Sequence, residues 1–212
     1  MSKRSKSSHR WLQEHFSDRF VQQAKAEGWR SRAVYKLEEA DRSARLFRPG
    51  MTVVDLGAAP GAWSQYARRR IGPAGRVVAS DILPMDAIAG VEFVPGDFRE
   101  EPVVAAIRQA LGGDPAGTPA DLLLSDMAPN FSGIDAIDQP RAMHLAELAL
   151  DLSDQVLKPG GSALIKVFQG VGFQELLARA RAQFTKVRFL KPEASRARSA
   201  ETYLLATGRR MV

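Results

Sequence analysis

The sequence contains no cysteine. That excludes a disulfide framework, a thiolate metal site and a cysteine nucleophile. Only three histidines occur, His9, His15 and His144, and they are scattered along the chain, which argues against a zinc site. No apolar run reaches the roughly 20 residues needed to cross a bilayer. The opening string MSKRSKSSHR is basic, but no apolar stretch follows it, so it does not read as a secretory signal. These absences lead us to expect a soluble cytoplasmic protein with no membrane contact and no metal.

What the chain does have is enough apolar material for a core: 45% of its 212 residues are hydrophobic, in a length that suits one domain. Its charge is unevenly spread. Residues 1–50 hold 12 Lys/Arg against 6 Asp/Glu, and residues 185–212 hold 7 against 2, whereas the stretch between is net acidic, 11 against 16. Basic ends around an acidic middle suggest an anionic partner gripped by the termini, nucleic acid above all. The plainer reading is a solvated basic surface.

Residues 1–12 are Ser, Lys and Arg with little to bury and read as disordered. From there a helix is predicted over 31–46, capped by Ser31, and RPGM ends it. TVVDLG (52–57), GRVVASD (75–81), VEFVPGD (91–97) and DLLLSD (121–126) read as strands, PGGSALIKVF as a fifth, and KVRFLKP and ETYLLATG as the last two. Helices are predicted between them: AWSQYARRR, residues 99–112, residues 139–157 with Pro140 in the first turn, and FQELLARARAQF. Strands and helices alternate, which predicts an α/β fold: a mostly parallel seven-stranded sheet with helices on both faces. The last two strands lack a helix between them, so an antiparallel strand at or near the edge fits. We read residues 1–30 as a basic N-terminal extension and 31–212 as one catalytic domain, without internal repeats.

VVDLGAAPGAW, 53–63, is a strand, a glycine loop and a helix start. Such loops let a ligand approach the backbone beside free helix N–H groups. It lacks the G-x-G-x-x-G spacing of dinucleotide binders. Asp81 ends the next strand, where a carboxylate can take both hydroxyls of a ribose, and Asp97 ends the third, within reach of an adenine. The loop resembles motif I of the class I (Rossmann-like) S-adenosylmethionine-dependent methyltransferases. That resemblance implies S-adenosylmethionine as cofactor, held by Gly57, Ala58, Pro60, Gly61, Trp63, Asp81, Asp97, Phe98 and Asp126.

ALIKVFQG, 163–170, raises a different question, because Lys166 interrupts a strand that otherwise reads as buried on both faces. A buried, unpaired ammonium is costly. Asp126 ends the preceding strand, Glu201 opens the last one, and Lys36 lies on the first predicted helix. Two lysines and two carboxylates meeting at one pocket would be near neutral together, and the lysine would be tolerable. Taken singly, each has a plainer reading: Lys36 as a solvated helix lysine, Glu201 as a surface strand residue, Asp126 as a turn cap. Only Lys166 is anomalous alone.

The order Lys36–Asp126–Lys166–Glu201 resembles the K-D-K-E tetrad of RNA 2′-O-methyltransferases. The strings WLQEHFSDRFVQQA, TVVDLGAAPGAWSQY, SDMAPNFSG, IKVFQG and KPEASRARSAETYLLATGR extend the likeness over nearly the whole chain, to the bacterial FtsJ/RrmJ (RlmE) family. Ala62 stands where that family commonly has a second glycine and Phe131 where a methionine is usual. The resemblance implies methyl transfer to the ribose 2′-hydroxyl of a uridine in the A-loop of 23S ribosomal RNA, on the large subunit, by a monomer. It implies that Lys166 either takes the hydroxyl proton or steers an oxygen lone pair toward the methyl. Lys36 disfavours charge on Lys166 and the two carboxylates favour it, so both roles stay open here.

RNA contacts are expected from Lys3, Arg4, Lys6 and Arg10, which neutralise phosphates without reading sequence. Arg30, Arg32, Arg196 and Arg198 are expected to flank the pocket. Tyr35 is placed either to stack on a splayed base or to pack in the core. Other reactions fit less well. Cytosine C5 methylation requires the absent cysteine. DMAPNF has no aromatic residue directly after its proline, as exocyclic-amine methylation usually does. A transfer-RNA 2′-O-methyltransferase and a non-catalytic ribosome-assembly module remain as rivals.

Overall fold

The structure is a computed structural model and describes residues 18–112, 120–195 and 199–211. The predicted disordered start at 1–12, the basic residues Lys3, Arg4, Lys6, Arg10, Arg196 and Arg198, and most of the loop at 112–120 lie outside the described residues.

One seven-stranded sheet organises the chain. Its strands are β1 (Thr52–Leu56), β2 (Arg76–Asp81), β3 (Val91–Pro95), β4 (Ala120–Ser125), β5 (Leu157–Phe168), β6 (Phe184–Leu190) and β7 (Glu201–Arg209). They stand in the order β3-β2-β1-β4-β5-β7-β6. β1 to β5 pair in parallel, and β7 runs antiparallel between β5 and β6. The expected antiparallel strand therefore sits one place in from the edge. Strand order reverses between β1 and β4, the switch point at whose carboxyl ends open α/β sheets bind ligands.

Among the described residues the helices are α1 (Arg19–Ala26), α2 (Val34–Ala44), α3 (Ala62–Ile71), α4 (Glu101–Leu111), α5 (Asp135–Val156) and α6 (Phe173–Gln183). They cover both faces of the sheet. Val54, Leu56, Val78, Leu123, Ile165 and Val167 point into one core with Ile107, Leu150 and Leu176. Val53, Val77, Leu122, Leu124 and Leu164 point into the other with Leu37, Trp63 and Ile71. The period-two alternation of the strands divides the two cores, and the central strands β1 and β4 are buried along nearly their whole length because both faces are covered.

Three local expectations are corrected. The helix predicted from Ser31 begins at Val34. The Ser31 hydroxyl accepts from the Ala33 N–H at 3.3 Å, inside a preceding turn. Arg45, in the left-handed conformation, ends that helix and donates its N–H to the Asp41 carbonyl. The helix predicted at 139–157 begins at Asp135, so Pro140 lies inside it rather than in its first turn. Asp138 explains the earlier start: its carboxylate gathers the Ser132 and Gly133 N–H groups, turning the chain into the helix upstream of the proline.

Candidate active site

The glycine loop joins β1 to α3 at the sheet's carboxyl edge. Gly57 (φ 69°) and Gly61 (φ 103°) occupy the left-handed region, which suits glycine. The loop is crowded as well as turned. A Cβ at Gly57 would stand 2.4 Å from Met127 Cγ, and one at Gly61 2.8 Å from both Ile88 Cδ1 and Met85 Sδ. The Gly57 and Ala58 N–H groups donate to the Ser80 carbonyl at 2.9 and 3.2 Å, and the Ala59–Pro60 peptide is cis. Asp55 is 1% exposed and accepts from the Ser64 hydroxyl at 2.6 Å, fastening the end of β1 to α3. Burial, aided by the charges of Asp126 and Asp81, pushes its carboxyl up to about 7 despite that hydrogen bond.

Asp81 sits at the end of β2 and spans two loops. Its carboxylate accepts the Ala59 N–H and the Leu83 N–H, each at 2.8 Å. Asp97 follows β3. Arg99 forks onto its carboxylate and holds it below the usual carboxylate range, chiefly through that hydrogen bonding. Phe98 packs half-buried against the first core. Trp63 differs from its neighbours. Its indole is buried, donates to the Ala33 carbonyl at 2.8 Å and packs 5.7 Å from the Tyr203 ring, so only its main chain, in the first turn of α3, faces the loop side.

Lys36, Asp126, Lys166 and Glu201 come together. Lys166 Nζ lies 2.7 Å from Asp126 Oδ1, donates to the Asp126 carbonyl at 3.0 Å, and lies 3.7 Å from Glu201 Oε2. Lys36 Nζ is 2.8 Å from Glu201 Oε1 and 4.0 Å from Asp126 Oδ1. Sheet register produces this meeting. Ser125 pairs with Ile165 in parallel, which brings Asp126 beside Lys166, and Lys166 pairs with Tyr203 in the antiparallel β5–β7 ladder, two residues from Glu201. Lys166 shares the sheet face of Leu164, the face α2 covers, so Lys36 reaches the group from above. Lys166 is only 8% exposed; its charge is balanced by the carboxylates around it, as a buried ammonium requires. Burial alone would raise the Glu201 carboxyl, but the charges of Lys36 and then Lys166 outweigh it and hold Glu201 below the ordinary glutamate range.

Tyr203 belongs to this group and was not singled out in the sequence. Its hydroxyl donates to Asp126 Oδ1 at 2.5 Å, and its ring lies 5.9 Å from Lys36 Nζ. Burial, then the charges of Asp126 and Glu201, raise its phenol well above the usual value. The available signal was strand period: Tyr203 is two residues from Glu201 and so shares its face.

The structure also gives partners to Tyr35, Arg30 and Arg32. Tyr35 packs in the core, 5.4 Å from the Phe20 ring, with its hydroxyl donating to Glu27. The Arg30 guanidinium donates to the carbonyls of Pro60, Asp86 and Ala87, clamping the glycine loop to the loop after β2. Arg32 donates to the Ala194 carbonyl and pairs with Asp18. Among the described residues no group of three or more His, Asp or Glu is arranged to hold a metal ion, and no helix is long and apolar enough to cross a membrane.

A family model of the FtsJ-like methyltransferases matches residues 29–209. Among solved structures, the chain is similar to a Plasmodium falciparum protein assigned as a ribosomal RNA methyltransferase, at 25% identity and a TM-score of 0.74, over 85% of this chain and 98% of that one. It also shares its fold with human methyltransferase-like protein 13 in complex with SAH, at 15% identity and a TM-score of 0.58, over 84% of each chain.

Proposed function

The chain belongs to the FtsJ-like methyltransferase family, and from that premise we propose that it methylates the ribose 2′-hydroxyl of a uridine in the A-loop of 23S ribosomal RNA, on the large ribosomal subunit, acting as a cytoplasmic monomer. S-adenosylmethionine is the methyl donor and supplies, when bound, an electrophilic methyl group on a sulfonium. The residues of the glycine loop fit it. Gly57 and Gly61 turn the loop through the left-handed region, the first turn of α3 offers N–H groups, and Asp81 and Asp97 present carboxylates at or just after the ends of β2 and β3. Gly57, Ala58, Pro60, Gly61 and the Trp63 main chain would hold its methionine part, Asp81 its ribose hydroxyls, and Asp97 with Phe98 its adenine.

The observation that carries the reading is Lys166, fixed on Asp126 at 2.7 Å and lining an open pocket with Phe131, Phe168 and Glu201. Two of its donor directions go to the Asp126 carboxylate and carbonyl, and the residue lines the pocket together with Glu201. A substrate hydroxyl there meets Lys166 Nζ. Asp126 and Glu201 set the direction of that amine, and Lys36 and Tyr203 hold the two carboxylates in turn. Positioning of this kind lowers a displacement barrier by several kcal/mol. Sequence likeness alone supports the ribosomal substrate.

The test is methyl transfer from labelled S-adenosylmethionine to large subunits lacking the modification, with the product mapped by its resistance to alkaline cleavage. A single 2′-O-methyl uridine in the A-loop is expected. Transfer to free transfer RNA and not to subunits would keep the chemistry and overturn the substrate. A pH–rate profile with chemistry limiting then separates the two roles of Lys166: a rate rising into the alkaline range marks a proton acceptor, and a flat one marks a steering residue.

A further inference from the structure

Next to the four charged residues lies a cavity of about 300 Å³. Lys166 and Glu201 form part of its lining, and Phe131, Gln139, Phe168 and Gln169 form another part. Its volume is at the lower end for ligand pockets, which suits one nucleoside and not a stretch of helix. The reaction above uses only the side next to Lys166, where the ribose must sit. The rest is space left for the base attached to that ribose.

The walls have the chemistry for it. Phe131 is 56% exposed, an unusual state for a large aromatic ring. It meets Phe168 edge-on, with ring centroids 5.6 Å apart. Its loop is fastened, because the Asp138 carboxylate accepts from the Ser132 N–H and hydroxyl, both at 2.9 Å, and from the Gly133 N–H at 2.8 Å. An exposed ring on a fastened loop is a platform for stacking a base lifted out of its own stack. Gln139 is half-buried against Gly170, where an added Cβ would stand 2.7 Å from its Oε1. Its carboxamide has no hydrogen bond to another described residue. Such a group offers a donor and an acceptor side by side, the complement of the N–H and C=O edge of uracil.

We propose that this cavity seats the uracil of the target nucleotide, with Phe131 as stacking platform and Gln139 as hydrogen-bonding partner of the base edge. The proposal rests on the ribose 2′-O reading above and deepens it.

The experiment compares the native protein with Phe131→Ala, Phe131→Tyr and Gln139→Ala. Each is assayed for kcat/KM on whichever RNA the native protein methylates, large subunit or transfer RNA, and for S-adenosylmethionine affinity by calorimetry. Phe131→Ala is expected to lower kcat/KM about tenfold, the loss of one base–aromatic stack, at unchanged cofactor affinity, and Phe131→Tyr to restore most of it. Gln139→Ala is expected to lower kcat/KM by about three- to tenfold at unchanged cofactor affinity, because the base edge then lacks its hydrogen-bonding partner. Native kcat/KM in both alanine variants would overturn the proposal, as would a loss fully accounted for by weaker cofactor binding. Transfer RNA as the only substrate overturns the ribosomal reading alone, and the same variants on that RNA then decide the base seat.

Discussion

Replacing Lys166 by alanine is the sharpest test of the site. The side chain removed lies 2.7 Å from the Asp126 carboxylate and 3.7 Å from Glu201. Breaking a buried ion pair from one side costs about 3–5 kcal/mol when a charge is left stranded. Here neither carboxylate is stranded: Asp126 keeps the Tyr203 hydroxyl at 2.5 Å, and Glu201 keeps Lys36 at 2.8 Å. We therefore expect about 1–2 kcal/mol of lost stability, a Tm lower by roughly 2–8 °C for a domain of this size. The variant stays folded at assay temperature. Methyl transfer, in contrast, should fall by about 10²–10⁴, the range for losing a positioned proton-transfer group. The assay is single-turnover transfer of labelled methyl at saturating cofactor, with thermal unfolding and cofactor affinity measured on the same preparation. Transfer within about threefold of native would refute the reasoning and make Lys166 a structural residue. So would a rate loss matched by loss of cofactor binding.

Other perturbations follow from the same contacts. The Glu201 carboxyl is held below its ordinary value, so its contribution to stability is complete above the unfolded value and is lost as pH falls through the folded one; the native protein should weaken on acidification below about pH 4.5, and Glu201→Gln should weaken less, by denaturant unfolding at a series of pH values. Asp55 has the opposite sign: its carboxyl is raised to about 7, so the folded state holds the proton more tightly and stability falls as pH rises toward 7, a slope that Asp55→Asn should flatten. Asp41→Ala strands the Leu46 and Phe47 N–H groups, the Tyr66 hydroxyl and Arg70, and should cost about 3 kcal/mol or more in urea unfolding; a cost below about 1 kcal/mol would contradict the assigned network. Arg30→Ala should weaken S-adenosylmethionine binding by calorimetry and leave the salt dependence of RNA binding unchanged, because its guanidinium is engaged with three carbonyls of the protein. Replacing Lys3, Arg4, Lys6 and Arg10 together should reduce the log–log salt slope by about 3, as four lost phosphate contacts would.

The fold was legible because both of its signals are local. Apolar runs at β-strand length, interrupted by helical periods and glycine turns, read directly as alternating strands and helices. Boundaries slipped where a side chain acted at a distance: Asp138 started α5 ahead of Pro140 by capturing the Ser132 and Gly133 N–H groups. Arg30 and Tyr35 could not be assigned one role for a similar reason. A basic or aromatic residue reads alike in sequence whether it faces RNA or its own chain, and only the Pro60, Asp86 and Ala87 carbonyls and the Phe20 ring distinguish the two.

By itself the sequence determined the sheet-and-helix alternation, the glycine loop and the anomaly of a lysine in an apolar strand, because each is written in adjacent residues. Tertiary structure alone decided that Lys36, Asp126, Lys166 and Glu201 meet, that Tyr203 joins them, and that a cavity opens beside them. Those four residues come from α2, the loop after β4, β5 and β7, as far as 165 positions apart. What brings Asp126, Lys166 and Glu201 together is the register of β5 between a parallel and an antiparallel neighbour, with Lys36 added by α2 packed on that face, and register is a property of the assembled sheet.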